Sequence, residues 1–397
     1  MKKSLYFYLE PYVYIKVGDN GVLLVNLVDD NAFVFSDTRS LQIAESLLSS
    51  KRRTIQITEE DTAQPLVTCA RMNYLGDTMY SESHPFQFYS EINVVSRRDA
   101  YKKTVLYSKN NICSHITDCT IFLTPSHSDC NYCISLRAGM NTVTMRSFCK
   151  DFAGMSNKNL YEYTNILLRL NPNVKFFFCG IDSNSLKYIV DNIPRNNYNL
   201  ILTDETLVES LEIRERIRKY NVDYILMSNL SGDSILTNDL HEPKEIWTGI
   251  QDEQTLDRYY ALRQEYKIKP FLIMNSHNVE FIKSTVKFAE TNVLGLRNKY
   301  KIIKSNNIIN SNYWGHIYLF PNGRYTYSLS ETSDQWDAVK FYDDYKQKFF
   351  TGDFDWTRIR DYKKCRSCSF NALCPSPTNI EDFLRRQNIL DCLMKDM

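Results

Sequence analysis

The sequence lacks several features that would assign it to a common functional class. No apolar run in its 397 residues approaches the length needed to cross a bilayer. The net charge of +1 at pH 7 argues against a dedicated nucleic-acid surface. The start of the chain is basic and then apolar, but the apolar stretch is too short for a secretory signal. We therefore expect a cytoplasmic protein that binds neither a membrane nor nucleic acid.

The overall composition, with 43% hydrophobic and 24% charged residues, is typical of a globular protein with a substantial core. The length favours about two or three domains. The chain has 11 cysteines, an odd number, and in a reducing cytosol clustered cysteines indicate metal or cluster binding more than disulfides. Isolated cysteines such as Cys69 and Cys113 are expected to be small buried hydrophobes.

The N-terminal region has the pattern of short strands followed by helices. A Gly-Asp-Asn-Gly turn joins two of these strands and predicts a hairpin. Ser36 or Asp37 is expected to cap a helix, and Thr58 to open another one. The predicted strands are at residues 12–17, 22–27, 31–35 and 54–57.

The middle of the chain alternates strands with amphipathic helices, which predicts β/α units around a parallel sheet. The run is about 190 residues long, fewer than a full eight-unit barrel usually takes. Helices are predicted at residues 159–170, 184–192, 207–219, 256–266 and 279–290. Strands are predicted at residues 174–180, 199–203, 222–227, 246–250 and 270–274.

A segment just before this alternation resembles the C-x3-C-x2-C loop of radical SAM enzymes. Ser126 stands in place of its first cysteine, and Cys130 and Cys133 match the other two. In that family three thiolates hold a [4Fe–4S] cluster whose fourth iron binds S-adenosylmethionine. A serine oxygen is a poor substitute for a thiolate, so we expect Cys130 and Cys133 to be a degenerate remnant and S-adenosylmethionine not to bind. The alternative is a retained cluster in which His127 replaces the lost ligand, with Cys119 also near in sequence.

Two further departures from this family accompany the lost cysteine. The Gly-Gly-Glu that usually contacts the cofactor reads Gly180-Ile181-Asp182 here, with Asp182 as a possible stand-in for the acid. The whole chain also has only 12 glycines, which suits a pocket that no longer holds a nucleoside closely.

The C-terminal region resembles a SPASM domain, the cysteine-rich extension of peptide-modifying radical SAM enzymes. A predicted hairpin at residues 317–327 turns at Pro-Asn-Gly, and a C-x2-C-x5-C core follows. Serine and threonine occupy two further family cysteine positions, Ser328 and Thr378. The resemblance implies one auxiliary [4Fe–4S] cluster, and the alternatives are zinc or free thiols. A helix from Asp382 onward is expected to carry the last ligand back to the others; the implied ligands are Cys365, Cys368, Cys374 and Cys392.

The N-terminal pattern is similar to the peptide-recognition element of ribosomal peptide maturases, which binds a precursor leader as an added strand. Together the resemblances imply an α/β fold. Its parts are a winged-helix-like peptide-recognition module in residues 1–95, a partial (β/α)6 radical SAM-like barrel in 110–312, and a SPASM-like iron–sulfur module in 313–397.

This layout resembles the pseudo-radical-SAM/SPASM proteins of ribosomal peptide natural-product (RiPP) maturation. It implies a non-catalytic accessory that binds a precursor peptide and a catalytic radical SAM maturase. Two alternatives stay open. One is an active radical SAM peptide maturase with an atypical cluster ligand, and the other is a scaffold that meets no peptide.

Overall fold

The structure is a computed structural model that describes residues 4–50, 53–80, 112–123, 154–228, 240–329, 334–335, 337–352 and 354–394. Within these ranges, none of the helices combines the length and the apolar character that a membrane crossing requires.

The N-terminal region contains two antiparallel sheets and two helices. In the first sheet β1 (Leu5–Leu9) lies between β5 (Thr54–Ile57) and β6 (Gly76–Met79). The second sheet consists of β2 (Val13–Gly18), β3 (Gly21–Asn26) and β4 (Ala32–Phe35), in that order. The helices are α1 (Thr38–Ser49) and α2 (Pro65–Met72). The predicted hairpin, its third strand and β5 are confirmed, whereas β1 and β6 were not predicted.

The helix caps explain where α1 and α2 begin. The Asp37 carboxylate accepts a hydrogen bond from the Ser40 amide at 2.8 Å, which confirms Asp37 as one of the two predicted caps. The segment after Thr58 forms a short 3₁₀ turn at Glu60–Ala63 before Pro65 starts α2. Proline fits the first turn of a helix because its missing amide has no partner there in any case.

The middle region forms a mostly parallel sheet. Its first six strands in chain order lie side by side, and every neighbouring pair is parallel. They are β7 (Asp118–Phe122), β8 (Lys175–Cys179), β9 (Tyr198–Thr203), β10 (Tyr224–Met227), β11 (Glu245–Ile250) and β12 (Ile268–Leu272). On the other side of β7 the sheet continues with β13 (His316–Leu319), β14 (Arg324–Thr326) and β15 (Asp334–Gln335). The chain therefore has the mixed α/β architecture that the alternation predicts.

Helices connect these strands and complete the C-terminal region. They are α3 (Asn157–Leu170), α4 (Ser183–Asn192), α5 (Asp204–Glu209), α6 (Leu211–Tyr220), α7 (Glu253–Leu262), α8 (Val279–Thr285), α9 (Glu290–Leu294), α10 (Lys299–Asn306), α11 (Ala338–Thr351), α12 (Lys363–Arg366) and α13 (Asn379–Arg386). The single helix predicted at 207–219 is two helices, because Ser210 leaves helical geometry and caps α6 through its hydroxyl. The helix predicted at 279–290 is likewise divided between α8 and α9.

The parallel sheet is apolar on both faces. Alternate strand residues such as Phe176 and Phe178 pack against the helices in one large core. The face away from the helices carries a second core. Its residues are Phe122, Cys179, Ile201, Ile225, Met227, Trp247, Ile273, Tyr318, Phe320 and Leu329. Both faces of a parallel sheet are therefore covered, as its hydrophobic strands require.

Strand β3 links the N-terminal region to the C-terminal cysteines, because it is buried on both faces. Leu24 packs with α1 and α2 in one core. Leu23 and Val25 point the opposite way and pack with Phe370 and Cys374 in another core. The sheet β2–β3–β4 is therefore a middle layer between two helices and the cysteine-bearing segment.

We predict that acid weakens the N-terminal region through Asp61. Its carboxylate accepts hydrogen bonds from Arg39 at 2.6 and 2.7 Å and from Thr58. These hydrogen bonds, chiefly those from Arg39, lower the pKa of Asp61 to about 2. Because the folded pKa lies below the unfolded value, the stabilisation is present above pH 3.8 and is lost as the pH falls towards 2.

The expected loss is about 1–2 kcal/mol of unfolding free energy, measured by urea titration between pH 5 and about 2. Asp61→Asn should remove this part of the pH dependence. Asp77→Asn, at an exposed ion pair with Arg71, is the control and should leave the profile close to wild type. An Asp61→Asn profile identical to that of the wild type would contradict the assignment.

Candidate metal centre

Ser126, His127, Cys130 and Cys133 lie outside the described residues, so their assignment stays a prediction. Cys119 is described on β7, and it is fully buried in the core between the sheet and the helices. Burial raises the pKa of this thiol well above its ordinary value, so it is a protonated core residue.

Asp182, the possible stand-in for the cofactor-binding acid, caps helix α4. Its carboxylate accepts a hydrogen bond from the Ser185 amide at 2.7 Å, and its own amide donates to the Ser185 hydroxyl at 3.1 Å. The preceding turn needs Gly180, whose φ is 69°. The helix cap therefore explains Asp182, and the turn before the helix explains Gly180.

The C-terminal cysteines converge from three short pieces of chain. Cys365 lies on α12, and tight turns bring in Cys368 and Cys374, whose amides donate to the carbonyl oxygens of Cys365 and Phe370 at 3.2 and 3.0 Å. Cys392 follows α13. The expectation that a helix carries Cys392 is wrong: α13 ends at Arg386, and Asn388, with a φ of 56°, turns the chain away from helical geometry.

The thiols are desolvated and act on one another. Cys365 and Cys374 are 7% and 6% exposed, and Cys368 and Cys392 are partly buried. The pKa of Cys374 is raised to about 12, chiefly by burial; Arg360 lowers it, and the other three thiols add smaller increases. Burial also raises the pKa of Cys368, an effect that the Phe370 amide opposes. Without a metal these two thiols are therefore neutral at pH 7.

Nitrogen donors point at the sulfurs. The Met394 amide donates to Cys392 Sγ at 3.4 Å, and Arg385 Nη2 donates to Cys365 Sγ at 3.7 Å. Such donors stabilise negative charge on sulfur, which a neutral thiol lacks and a metal-bound thiolate has.

The arrangement is not yet that of a bound metal. Across the described ranges, no three or more histidine, cysteine or carboxylate side chains are placed so that they could hold a metal ion. Binding would therefore require the thiol side chains to move closer together. The chemistry of the donor set suits a soft metal centre, since it consists of four sulfurs, of which Cys365 and Cys392 accept hydrogen bonds from N–H groups.

Both positions where the SPASM resemblance expects further cysteines have structural roles. Ser328 is fully buried two residues after β14, and its backbone exchanges hydrogen bonds with the Thr326 hydroxyl. The Thr378 hydroxyl caps α13 by accepting from the Glu381 amide at 3.2 Å. Neither position therefore supplies a cysteine ligand for a second cluster.

Sequence reasoning missed two arginines beside the cysteines. Arg360 and Arg385 both donate to the buried carboxylate of Glu381. The spacing of Glu381 and Arg385 by four residues in a helix is a usable signal for that pair. Arg360 lies outside this helix, and only the tertiary structure brings it to Glu381.

The β2–β3 turn contacts the cysteine loop directly. The Asp19 amide donates to the Ser367 carbonyl oxygen at 2.7 Å, and the Asn20 side chain accepts from the Ser369 amide at 2.9 Å. Gly18 permits this approach, because a Cβ there would run into Ser367 and Ser369 and come within 2.8 Å of the Cys368 carbonyl carbon. The N-terminal hairpin therefore fixes the backbone that carries Cys368.

Known proteins resemble this chain only weakly. No protein-family model matches the sequence, and no curated protein matches it. Among solved structures, Streptococcus suis SuiB aligns over 98% of this chain and 100% of its own, with 11% identity and a TM-score of 0.35. SuiB bound to S-adenosylmethionine covers 93% and 94% at 10% identity (TM-score 0.32), and E. coli MccB covers 66% and 80% at 12% identity (TM-score 0.21). These likenesses are too weak to carry an argument.

We predict that Gly18→Ala disturbs the cysteine loop. The added methyl group should lower the unfolding free energy by about 1–3 kcal/mol, because the backbone atoms it meets cannot rotate away. It should also reduce the amount of iron retained after anaerobic reconstitution.

Urea titration and iron analysis check this, with Gly295→Ala as the matched control. A Cβ on Gly295 comes no closer than 3.1 Å to a neighbouring atom, the Thr291 carbonyl oxygen. Wild-type stability and iron content in Gly18→Ala would show that the turn does not hold the loop.

Proposed function

We propose that this protein is a radical-SAM-like, non-catalytic accessory of peptide maturation that carries a metal–thiolate centre in a SPASM-like C-terminal module. Cys365, Cys368, Cys374 and Cys392 would hold one [4Fe–4S] cluster, and the alternative occupant is zinc. Four thiolates leave no iron open to a substrate, so the cluster would supply structure or electron transfer.

The observation that carries this proposal is the convergence of four buried or partly buried thiols, two of which accept hydrogen bonds from nitrogen donors. The parallel sheet supports the rest of the layout, because its six consecutive strands have the order expected for a partial (β/α)6 barrel.

The absence of catalysis is supported by the face of the sheet away from the helices. In a barrel this face lines the interior, and here it carries a cluster of large apolar side chains, with Glu245 and Lys269 beside Trp247 at the β11–β12 edge. Phe122 stacks on Phe320 with ring centroids 5.3 Å apart, and Trp247 contacts Phe177 and Phe271 at 5.9 and 5.3 Å. A polar, charged cofactor such as S-adenosylmethionine would meet few hydrogen-bonding partners on these side chains.

Peptide binding is supported by strand β4 at the edge of its sheet. The β2–β3 hairpin has a two-residue turn, and Gly18 and Gly21 pair across it. Because the backbone N–H and C=O groups of successive strand residues point to opposite sides, those of Leu24 on β3 point towards Phe33 on β4. The backbone groups of Val34 then face the open edge, where an extended peptide can add as a strand. Since β3 also packs on the cysteine segment, the edge and the metal centre belong to one layered unit.

Anaerobic reconstitution tests the proposed cofactor and the lack of catalysis. We expect about four irons per chain and no 5′-deoxyadenosine when S-adenosylmethionine and dithionite are added. Cys374→Ser should abolish cluster binding, whereas Cys69→Ser, a cysteine of the N-terminal region, should not. About eight irons per chain together with 5′-deoxyadenosine would instead establish the active maturase.

Peptide capture tests the accessory role. Synthetic leader peptides from short reading frames encoded beside this gene are the ligands, and fluorescence anisotropy is the measurement. Val34→Pro should weaken binding about tenfold or more, because it removes an edge amide. Val34→Ala, which shortens the side chain and keeps the amide, is the control. Equal binding by the wild type and Val34→Pro would favour a scaffold that meets no peptide.

A further inference from the structure

The N-terminal region exposes three large apolar side chains at one end. Tyr74, Val28 and Met72 are 82%, 77% and 75% exposed, the highest values among the large hydrophobic side chains of the described residues. Met72 ends α2 and Tyr74 lies in the turn after it, whereas Val28 lies in the turn between β3 and β4. Single exposed apolar residues are common on protein surfaces, but a contiguous group of them is typical of an interaction site.

The turn between β1 and β2 brings these two connections together. The Tyr12 hydroxyl donates to the Tyr74 carbonyl oxygen, and the Tyr12 carbonyl oxygen accepts from the Leu27 amide at 3.1 Å. The Glu10 amide donates to the Leu75 carbonyl oxygen at 2.8 Å, which joins the same two turns a second time. We call the exposed apolar residues of these three adjacent turns the turn patch: Tyr12, Val28, Met72 and Tyr74.

The aromatic ring of Tyr74 is not what its turn requires. The φ of Tyr74 is 57°, in the left-handed region that a bulky residue rarely adopts and that asparagine or glycine adopts more readily. The turn uses the backbone carbonyl oxygen of Tyr74, which accepts from Tyr12, and the exposed ring gains little packing in return. The ring is therefore available to a partner.

Two carboxylates beside Tyr12 determine the charge of a partner that fits. Burial raises the pKa of the Tyr12 hydroxyl, and Glu10 and then Asp29 raise it further, so both carboxylates lie close to this ring. Within the described part of the chain, neither of them forms an ion pair. A lysine or arginine side chain from a partner would pair with these carboxylates and gain a favourable contact with the tyrosine rings.

The cations of the surrounding elements have other contacts. Arg71 pairs with Asp77 at 3.1 Å, and Arg53 donates to a strand carbonyl oxygen at 3.4 Å. Lys299 is 1% exposed and donates to the Asp30 carbonyl oxygen at 2.5 Å. The turn patch therefore combines an apolar, aromatic centre with a negative rim.

A folded protein fits the turn patch better than an extended peptide does. An extended peptide gains its affinity from backbone hydrogen bonds along a strand edge, whereas the patch consists of side chains on turns. A protein face with an apolar centre and a basic rim can cover the exposed rings and pair with both carboxylates. The proposed accessory role already requires one such partner, the catalytic maturase.

We propose that the turn patch, with Glu10 and Asp29 at its rim, is the docking surface for the catalytic maturase. The complementary face of the maturase has an apolar depression for Tyr74 and Val28, and lysine or arginine side chains for the two carboxylates. This inference rests on the proposed accessory role and names the surface through which that role is performed.

The test measures how the purified radical SAM maturase encoded beside this gene binds the whole chain, by biolayer interferometry. Tyr74→Asn removes the ring and suits the left-handed backbone, so it should not weaken the fold. Tyr161→Asn, at a tyrosine of α3 that is 55% exposed, is the matched control. Urea titration checks the stability of each variant, and Val28→Ser decides the question if Tyr74→Asn does not fold.

We expect Tyr74→Asn to weaken binding about 10- to 30-fold and Val28→Ser to weaken it as well, with Tyr161→Asn unchanged. The double variant Glu10→Gln and Asp29→Asn should bind more weakly and with a smaller dependence on salt concentration, because rim charges act through long-range attraction. A purely structural role of these carboxylates would not change the salt dependence.

Wild-type affinity for the maturase in both Tyr74→Asn and Val28→Ser would overturn this inference and leave the accessory role intact. Weaker leader-peptide binding in these variants, with maturase binding unchanged, would assign the patch to the peptide and also overturn it. A wild type that does not bind the maturase contradicts the accessory role itself, and the docking surface with it.

Discussion

The burial of thiols in the C-terminal region is the constraint on which the rest of the structure depends. A buried thiol stays protonated unless it binds a metal ion or lies beside a cation that stabilises the thiolate. Cys374 follows this rule, since burial raises its pKa to about 12. The N–H groups directed at Cys365 and Cys392 suit the opposite, charged form. The segment therefore combines a protonated thiol at Cys374 with hydrogen-bond donors at Cys365 and Cys392 that would suit a thiolate.

The N-terminal sheet β2–β3–β4 packs against the same cysteine segment. Strand β3 has apolar side chains on both faces, so it requires a partner on each. Helices α1 and α2 cover one face and the cysteine segment covers the other. The Asp30 carboxylate adds a second link at the other end of the hairpin, where it accepts from the Lys299 amide at 2.7 Å and begins helix α10. A disturbance of the hairpin is therefore transmitted directly to the cysteines.

Local patterns in the sequence predicted much of the fold. Alternation of apolar strands and amphipathic helices located β8 to β12, and the predicted cap of α1 was Ser36 or Asp37, of which Asp37 is the cap. The sequence could not reveal β1 and β6, because each is short and each becomes a strand through pairing with residues distant in the sequence, β1 with β5 and β6, and β6 with β1. The break at Ser210 was missed because helical periodicity continues across it, although a serine side chain competes for backbone hydrogen bonds.

For the candidate site, the sequence grouped the four cysteines as ligands, which stays a prediction, and their surroundings depend on tertiary contacts. The approach of Arg360 to Glu381 and of Asn20 to Ser369 joins residues that are distant in the sequence. The structural roles of Asp182, Ser328 and Thr378 likewise follow from backbone geometry. The radical-SAM-like motif at Ser126, Cys130 and Cys133, the domain boundaries and the partners stay predictions.

Anomalous diffraction from crystals grown without oxygen tests the central claim most directly. Data collected on both sides of the iron and zinc absorption edges locate and identify a metal independently of any reconstitution. The account predicts one metal centre, bonded to the sulfurs of Cys365, Cys368, Cys374 and Cys392, with the Arg385 guanidinium beside it. Four well-ordered thiols with no anomalous peak between them, in protein purified without oxygen or chelators, would contradict it.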